Sequence, residues 1–188
     1  AYQLVRRPSY AFIAALFAAC DGLFLVESRY ALNNIYLVLL GILGQLFILK
    51  SVEAEGKKRW LWLILAGVGF GASAAIKWNG LWFLFGTYLI LICAWAVRLI
   101  QGNKGEEEPS REGNSTLIPG ESPVQKLTEL NFLEVGLSLA IIPILVYSIS
   151  WIPHLLLNPT PNFWQMQTEI LTYHQRIKSG QPFQRKES

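Results

Sequence analysis

Two cations, Arg29 and Lys77, are the residues of this sequence best suited to hold an anionic group. Each stands beside a long apolar segment, and Lys77 lies in the short connection Lys77-Trp78-Asn79-Gly80. Arginine offers two parallel N–H donors and lysine a compact positive charge, so phosphate is their natural partner. The alternative interpretation is structural, with Lys77 reaching the membrane surface beside a tryptophan anchor.

Two carboxylates, Asp21 and Glu27, precede Arg29 in the sequence. A carboxylate placed inside a bilayer costs about 2.5–3.5 kcal/mol, so Asp21 needs a partner or a task. Arg29 follows Asp21 by about 12 Å along a continuous helix, which is too far for direct pairing. We expect Asp21 or Glu27 to support the cations; the alternative is a charge cluster that ties helix ends together.

The C-terminal part of the chain contains a third group of candidate residues. Thr160 and Pro161 resemble the cap and first residue of a helix. Apolar residues then recur at spacings of three and four, which predicts one face of an amphipathic helix: Phe163, Met166, Ile170, Tyr173 and Ile177. We expect this helix to lie in the membrane interface. His154, Tyr173 and His174 are candidates for a substrate pocket, although each histidine could equally be a hydrogen-bonded structural residue.

These candidates must be positioned by membrane helices. The chain has 188 residues, of which 52% are hydrophobic and only 15% are charged, against about 25% charged in a typical soluble domain. Apolar runs of membrane-spanning length cover residues 9–26, 35–49, 60–76, 81–97 and 135–152. Helices satisfy their own backbone in lipid. The pattern therefore excludes a soluble globular domain and predicts an all-α, polytopic membrane helix bundle of about five transmembrane helices plus the interfacial helix.

The loops predict the domain organisation and the orientation. We expect transmembrane helices 1–4 in residues 1–101, a flexible cytoplasmic linker in 102–131, transmembrane helix 5 in 132–153 and an outer-face loop in 154–188. Ten Lys and Arg residues fall on the side of the linker and six on the other, which makes the linker side cytoplasmic. The linker is rich in Gly, Pro, Ser and Glu. Its Asn114-Ser115-Thr116 is then a chance glycosylation match.

The remaining features indicate packing. Gly67, Gly69 and Gly71 permit close helix approach, and Pro143 should bend the fifth span while a neighbour satisfies the carbonyl that it frees. Cys20 and Cys93 lie in apolar spans without metal-ligand spacing, so we expect neither a metal nor a cofactor. The net charge of +3 comes from residues that flank spans, which does not favour nucleic-acid binding.

Two of these segments resemble signatures of the protein O-mannosyltransferase family. One is the run from Asp21 to Asn34, DGLFLVESRYALNN, and the other is Lys77-Trp78-Asn79-Gly80. The stretch from Asn158 to Trp164, with Tyr173-His174, is similar to an outer loop of the bacterial, particularly cyanobacterial, members. The likeness covers most of residues 9–178 apart from the linker. The two motifs together are fairly specific, whereas either alone is weak.

The resemblance implies a GT-C-type glycosyltransferase that moves mannose from a polyprenyl- or dolichyl-phosphate donor to Ser or Thr hydroxyls of an acceptor protein at the outer face of the bilayer. A carboxylate takes the hydroxyl proton, and cations stabilise the departing phosphate. Arg29 and Lys77 match the family's cations, and Trp78 and Asn79 belong to the same motif. The implied location is a bacterial plasma membrane, or the endoplasmic reticulum membrane in a eukaryote.

The sequence departs from the family pattern at three points. It contains no Asp-Glu dipeptide, so the expected catalytic acidic pair is absent and the catalytic residue is unknown. The family commonly has Asp where this chain has Asn34, and relatives continue beyond the position of Ser188. We therefore expect a segment of a larger enzyme. The alternatives are a GT-C enzyme with a different sugar or a lipid A acceptor, and a transporter or non-catalytic membrane scaffold.

Overall fold

The computed structural model describes residues 1–30, 32–102, 127–128, 130–158, 160 and 162–178, without the side chains of 101–102 and 174–178. In these ranges the chain forms helices and no strand. The α-helices are α1 (Tyr2–Val5), α2 (Pro8–Ala19), α3 (Gly22–Arg29), α4 (Asn33–Val52), α5 (Gly56–Ile76), α6 (Leu81–Gly102), α7 (Phe132–Val135), α8 (Ile142–Ser150), α9 (Ile152–Leu157) and α10 (Phe163–Lys178). A 3₁₀ turn, Trp78–Gly80, precedes α6, and a π-helical segment, Gly136–Ile141, precedes α8.

Four runs of helix are long and apolar enough to cross a membrane: Asn33–Val52, Gly56–Ile76, Trp78–Ile100 and Phe132–Leu157. A fifth span is formed if α2 and α3 are taken together, although this pair is bent by 55°. The all-α polytopic bundle predicted from the sequence is therefore confirmed. The first span differs from the prediction because it is a broken helix and not one continuous run.

The chain divides into two compact units, Ala1–Tyr147 and Ser148–Ser188. The core of the first unit lies among α4, α5, α6 and the segment that begins at α7. Its most deeply buried large side chains come from α5, α6 and the segment that begins at α7: Leu63, Phe70, Leu91 and Leu139. Apolar side chains also cover much of the exposed surface of the long helices. A bundle with apolar residues both inside and outside is what a lipid environment requires.

Helix α5 occupies the centre of the first unit because its glycines let two neighbours approach closely. A Cβ added at Gly69 would lie 3.2 Å from Gly44 of α4. A Cβ at Gly67 would lie 2.1 Å from the Ser138 carbonyl oxygen, and one at Gly71 would lie 2.8 Å from the Pro143 carbonyl oxygen. Gly69 therefore serves the contact with α4, and the other two glycines serve the contact with the π-helical segment and α8. The predicted role of these glycines is confirmed.

Pro143 accounts for the π-helical segment that precedes it. Proline lacks an N–H, so the carbonyl of Leu139, four residues earlier, loses its usual helical donor. The Tyr88 hydroxyl of α6 donates to that carbonyl at 2.8 Å. The predicted satisfaction of the freed carbonyl by a neighbour is confirmed, and the donor is a tyrosine. Wider π-type turns before Pro143 are a common way for a helix to adjust around such a break.

The predicted linker extends one turn too far at its C-terminal end. Leu127 and Leu130 are both buried, with 4% and 3% of their surface exposed, and belong to the core of the first unit. Asn131 then caps α7 in a reciprocal capping box with Glu134. The sequence signal was the pair of leucines three residues apart before an Asn-x-x-Glu cap. Residues 103–126 and 129 lie outside the described residues, so the rest of the linker prediction stays a prediction.

Candidate functional site at one end of the helix bundle

The helix pair α4–α5 brings Arg29 and Lys77 to the same end of the first unit. The pair is antiparallel, because the Ser73 hydroxyl near the end of α5 donates to the Leu37 carbonyl near the start of α4, at 2.8 Å. Arg29 lies four residues before α4 begins, and Lys77 directly follows the last residue of α5. We call this the two-cation end; it comprises Glu27, Arg29, Asn34 and the turn 77–80.

The opposite end of the unit holds the other described cations of the bundle, several of them with partners. Arg6 forms an ion pair with Glu53 in the α4–α5 connection. The Lys50 ammonium lies 4.5 Å from the centre of the Trp62 ring, and the Arg98 guanidinium donates to the Thr128 carbonyl at 2.9 Å. Helix α4, with 20 residues, separates the two ends by about 30 Å. Within the first unit the loops thus group at two ends as the sequence predicts, and which end faces the cytoplasm stays a prediction.

Asp21 has a structural partner that the sequence did not suggest. The helix breaks at Cys20 and Asp21, and the Asp21 carboxylate accepts the backbone N–H of Phe24 at 3.0 Å as the N-cap of α3. A cap satisfies one of the donors that a helix start leaves free, and the negative charge faces the positive end of the helix dipole. Asp21 and Arg29 lie at opposite ends of α3, about 12 Å apart along the helix, as the sequence predicts. Asp21 acts on the backbone of α3 and not on a cation.

Glu27 is also engaged elsewhere than expected. Its carboxylate accepts from the Asn34 side-chain amide at 2.9 Å, which joins the last turn of α3 to the first turn of α4. Neither Glu27 nor Asp21 forms an ion pair with Arg29 in the described part of the chain. Arg29 is exposed at the C-terminal end of α3, where the helix dipole favours a positive charge. The Glu27–Asn34 bond thus fixes the helix end that carries Arg29.

Lys77 is held by a short and tightly packed turn. Its backbone is extended, with φ −161° and ψ 141°, so α5 ends before it. The Gly80 N–H donates to the Lys77 carbonyl at 2.8 Å and closes the 3₁₀ turn. A Cβ at Gly80 would lie 2.4 Å from the Ser73 carbonyl, so only glycine fits there. Lys77 itself is exposed, as is Asn79.

Trp78 adds a contact that was missed at the sequence level. Its indole N–H donates to the Tyr147 hydroxyl at 2.9 Å, which links the turn to α8. Tyrosine near the polar end of an apolar span is typical of membrane proteins, and this was the one signal available for Tyr147. Trp78 is half-buried and therefore does not simply anchor the turn in the interface.

The remaining candidates belong to the second unit. His154 is exposed, and its ring packs edge-on against Trp151 at 5.8 Å between ring centres. Tyr173 is also exposed, and the side chain of His174 lies outside the described residues. These residues lie in the unit Ser148–Ser188, whereas Arg29 and Lys77 lie in the unit Ala1–Tyr147. Their role in a substrate pocket stays a prediction.

The amphipathic helix is confirmed as a helix, but its predicted cap is wrong. Helix α10 runs from Phe163 to Lys178. Asn162, and not Thr160, caps it: the Asn162 side chain accepts the Gln165 N–H at 3.0 Å, while the Gln165 side chain accepts the Asn162 N–H at 3.0 Å. Asparagine is a stronger cap than threonine, and Gln three residues later completes the capping box.

The two-cation end is suited to receiving an anion. Arg29 and Lys77 are exposed and make no ion pair with a carboxylate in the part of the chain that the structure describes. The nearby Glu27 already accepts the Asn34 amide. No group of three potential metal ligands occurs within the same described ranges. At this end, two different cations can therefore donate charge-assisted hydrogen bonds to an anion.

Fold and site together define a class: a multi-pass, all-α membrane protein with two exposed cations at one end of its bundle. Residues 1–156 match the family model of dolichyl-phosphate-mannose-protein mannosyltransferases. The chain belongs to this family, because the match covers more than half of its length. Among curated proteins there is no match, and among solved structures there is none either.

The family match confirms the resemblance drawn from the two sequence motifs and supports a membrane mannosyltransferase of the GT-C type. The matched range contains Asp21, Glu27, Arg29, the turn 77–80 and His154, whereas Tyr173 and His174 lie beyond it.

Proposed function

We propose that this protein takes part in transferring mannose from a polyprenyl-phosphate donor to Ser or Thr hydroxyls of proteins at the outer face of the membrane. In this proposal Arg29 and Lys77 bind the phosphate of the donor, which is the leaving group. The observation that carries the proposal is their placement at one end of the α4–α5 pair, in a region matched by the mannosyltransferase family.

The chemistry explains why two cations are needed. Displacement at the anomeric carbon breaks its bond to the phosphate oxygen, and negative charge grows on the lipid phosphate as the bond breaks. Arg29 can bind two phosphate oxygens in a bidentate manner, and Lys77 can supply a compact charge to a third. Preorganised cations of this kind lower the barrier because the charge that they stabilise is largest in the transition state.

The surrounding residues keep this end ready for phosphate. Within the described residues, the Glu27 carboxylate accepts from the Asn34 amide and forms no ion pair with Arg29. Asp21 acts as the cap of α3, one helix length before Arg29. In this proposal the cations are therefore available to the substrate without first breaking an internal ion pair.

The test measures mannose transfer from a polyprenyl-phosphate donor to a Ser/Thr peptide, in membranes that contain the protein expressed from its complete reading frame. Each of Arg29→Ala and Lys77→Ala should lower transfer by about ten- to a hundredfold, the equivalent of one charge-assisted hydrogen bond. The matched control is Lys57→Ala, an exposed lysine at the opposite end of the unit, which should leave transfer unchanged.

Two outcomes would overturn the proposal. Normal transfer by both variants would show that the cations do not bind the donor phosphate. An equal loss in Lys57→Ala would show that the assay reports total positive charge and not the two-cation end. Transfer of a different sugar, with the same dependence on Arg29 and Lys77, would contradict the assignment of mannose alone.

A further inference from the structure

The turn that carries Lys77 is tied to the bundle by three contacts that involve Ser73. The Lys77 N–H donates to the Ser73 carbonyl at 3.4 Å. Gly80 packs directly on the Ser73 carbonyl of α5. The Ser73 hydroxyl in turn donates to the Leu37 carbonyl of α4 at 2.8 Å, and this serine is fully buried. These contacts fix where the turn lies relative to α4 and α5. They involve the backbone of Lys77 and Gly80 and the Ser73 side chain, and none of these three contacts reaches the Trp78 side chain.

A further contact comes from the Trp78 side chain. Trp78 donates its indole N–H to the Tyr147 hydroxyl at 2.9 Å. Trp78 directly follows Lys77, and the peptide between them begins the 3₁₀ turn. Tryptophan at a bilayer boundary tends to place its ring at the headgroup level. Without an acceptor on α8, the ring would be drawn outward and would rotate the turn that carries Lys77.

We propose that Tyr147 is a positioning residue for the donor phosphate. It accepts from Trp78 and thereby holds the turn 77–80 in the orientation that directs the Lys77 ammonium toward the phosphate shared with Arg29. This inference rests on the proposed phosphate role of Arg29 and Lys77. Tyr147 acts through Trp78 and is not a catalytic residue.

The experiment compares binding of polyprenyl monophosphate with binding of the matching polyprenol, which has the same chain without the phosphate. The ratio of the two dissociation constants measures the phosphate preference and is insensitive to general changes in lipid affinity. Tyr147→Phe keeps the ring and removes the acceptor oxygen. It should lower the phosphate preference by about three- to tenfold, the equivalent of one neutral hydrogen bond.

Three further variants separate positioning from general stability. Trp78→Phe removes the donor of the same bond, so it should lower the preference to a similar degree, and the double variant should lower it no further. The matched control is Tyr88→Phe, which removes a tyrosine hydroxyl bond to the Leu139 carbonyl within the same bundle. It should reduce stability and leave the phosphate preference unchanged.

The outcomes distinguish this inference from the function on which it rests. An unchanged preference in Tyr147→Phe, together with a reduced preference in Lys77→Ala, overturns the positioning role and leaves the proposed function intact. An equal reduction in Tyr88→Phe also overturns it, because the effect would then follow general loss of packing. Unchanged preference in both Arg29→Ala and Lys77→Ala overturns the proposed function itself.

Discussion

Replacing Gly67 by alanine tests whether α5 packs as closely on the π-helical segment and α8 as the structure shows. The added Cβ would lie 2.1 Å from the Ser138 carbonyl oxygen and 3.0 Å from the Ile142 Cβ, whereas ordinary contacts begin near 3.4 Å. The oxygen belongs to the backbone, so no side-chain rotation relieves the clash. The two helices would have to separate by about 1.3 Å, and the neighbouring contact at Gly71 would open with them.

The cost of this separation follows from overpacking, which typically destabilises a protein by about 1–3 kcal/mol. Alanine also has a better helix propensity than glycine, by up to about 1 kcal/mol, and this gain has to be removed from the comparison. Gly86→Ala does so, because Gly86 lies in α6 with nothing within 4 Å of an added Cβ. We therefore expect Gly67→Ala to be less stable than Gly86→Ala by about 1–3 kcal/mol.

The assay is reversible denaturation in detergent micelles, followed by the fluorescence of the seven tryptophans. Equal midpoints for Gly67→Ala and Gly86→Ala would refute the close packing of α5 on the π-helical segment and α8. A Gly67→Ala variant that is more stable than Gly86→Ala would refute it more strongly.

Three other predictions each follow from one local feature of the structure. Tyr88→Phe leaves the Leu139 carbonyl without its donor and should cost about 1–3 kcal/mol in the same denaturation assay. Restoring an N–H with Pro143→Ala should recover part of that loss, and no recovery would contradict the account of the π-helical segment. Asn34→Asp places a carboxylate against Glu27 and should destabilise the protein at neutral pH. Acidification should reverse this loss of stability, because protonating one carboxyl removes the repulsion. A loss of stability that does not depend on pH would argue against the Glu27–Asn34 contact. Trp164 and Leu171 lie seven residues apart on α10 and are 76% and 47% exposed, so we expect both in the bilayer interface. In a variant that keeps Trp164 as its only tryptophan, lipids brominated near the headgroup should quench its fluorescence. Quenching by aqueous iodide alone would exclude the interfacial position.

The architecture was predictable from the sequence because membrane helices obey strong local rules. Each apolar run must satisfy its own backbone, so the number and position of the long helices followed from hydropathy. The roles of Gly67, Gly69 and Gly71 followed from the need for small residues at helix contacts. Pro143 was equally informative, because the absence of its N–H leaves one carbonyl without its usual helical donor.

The details of the candidate site were less predictable because they depend on contacts between distant residues. The helix break at Asp21 was missed, since an apolar run with one carboxylate is compatible with either a continuous helix or a capped restart. The Trp78–Tyr147 bond joins residues 69 positions apart, and nothing local in the sequence selects that partner. Asn162 was overlooked in favour of Thr160 because the two neighbouring prolines suggested an earlier start. Arg29 and Lys77 were found because topology placed both at the same end of the spans.

The central claim is that the two-cation end is one site for a lipid phosphate, and its most direct test leaves both cations in place. In a variant with Cys20→Ser and Cys93→Ser, the paired substitutions Ser28→Cys and Asn79→Cys introduce one thiol beside Arg29 and one in the turn that follows Lys77. A short bifunctional thiol reagent should cross-link this pair within one chain, and polyprenyl monophosphate should protect it while polyprenol does not. The control pair Ser28→Cys and Glu55→Cys, separated by about 30 Å along α4, should not cross-link. Failure of the first pair to cross-link, or equal protection by both lipids, would contradict the account.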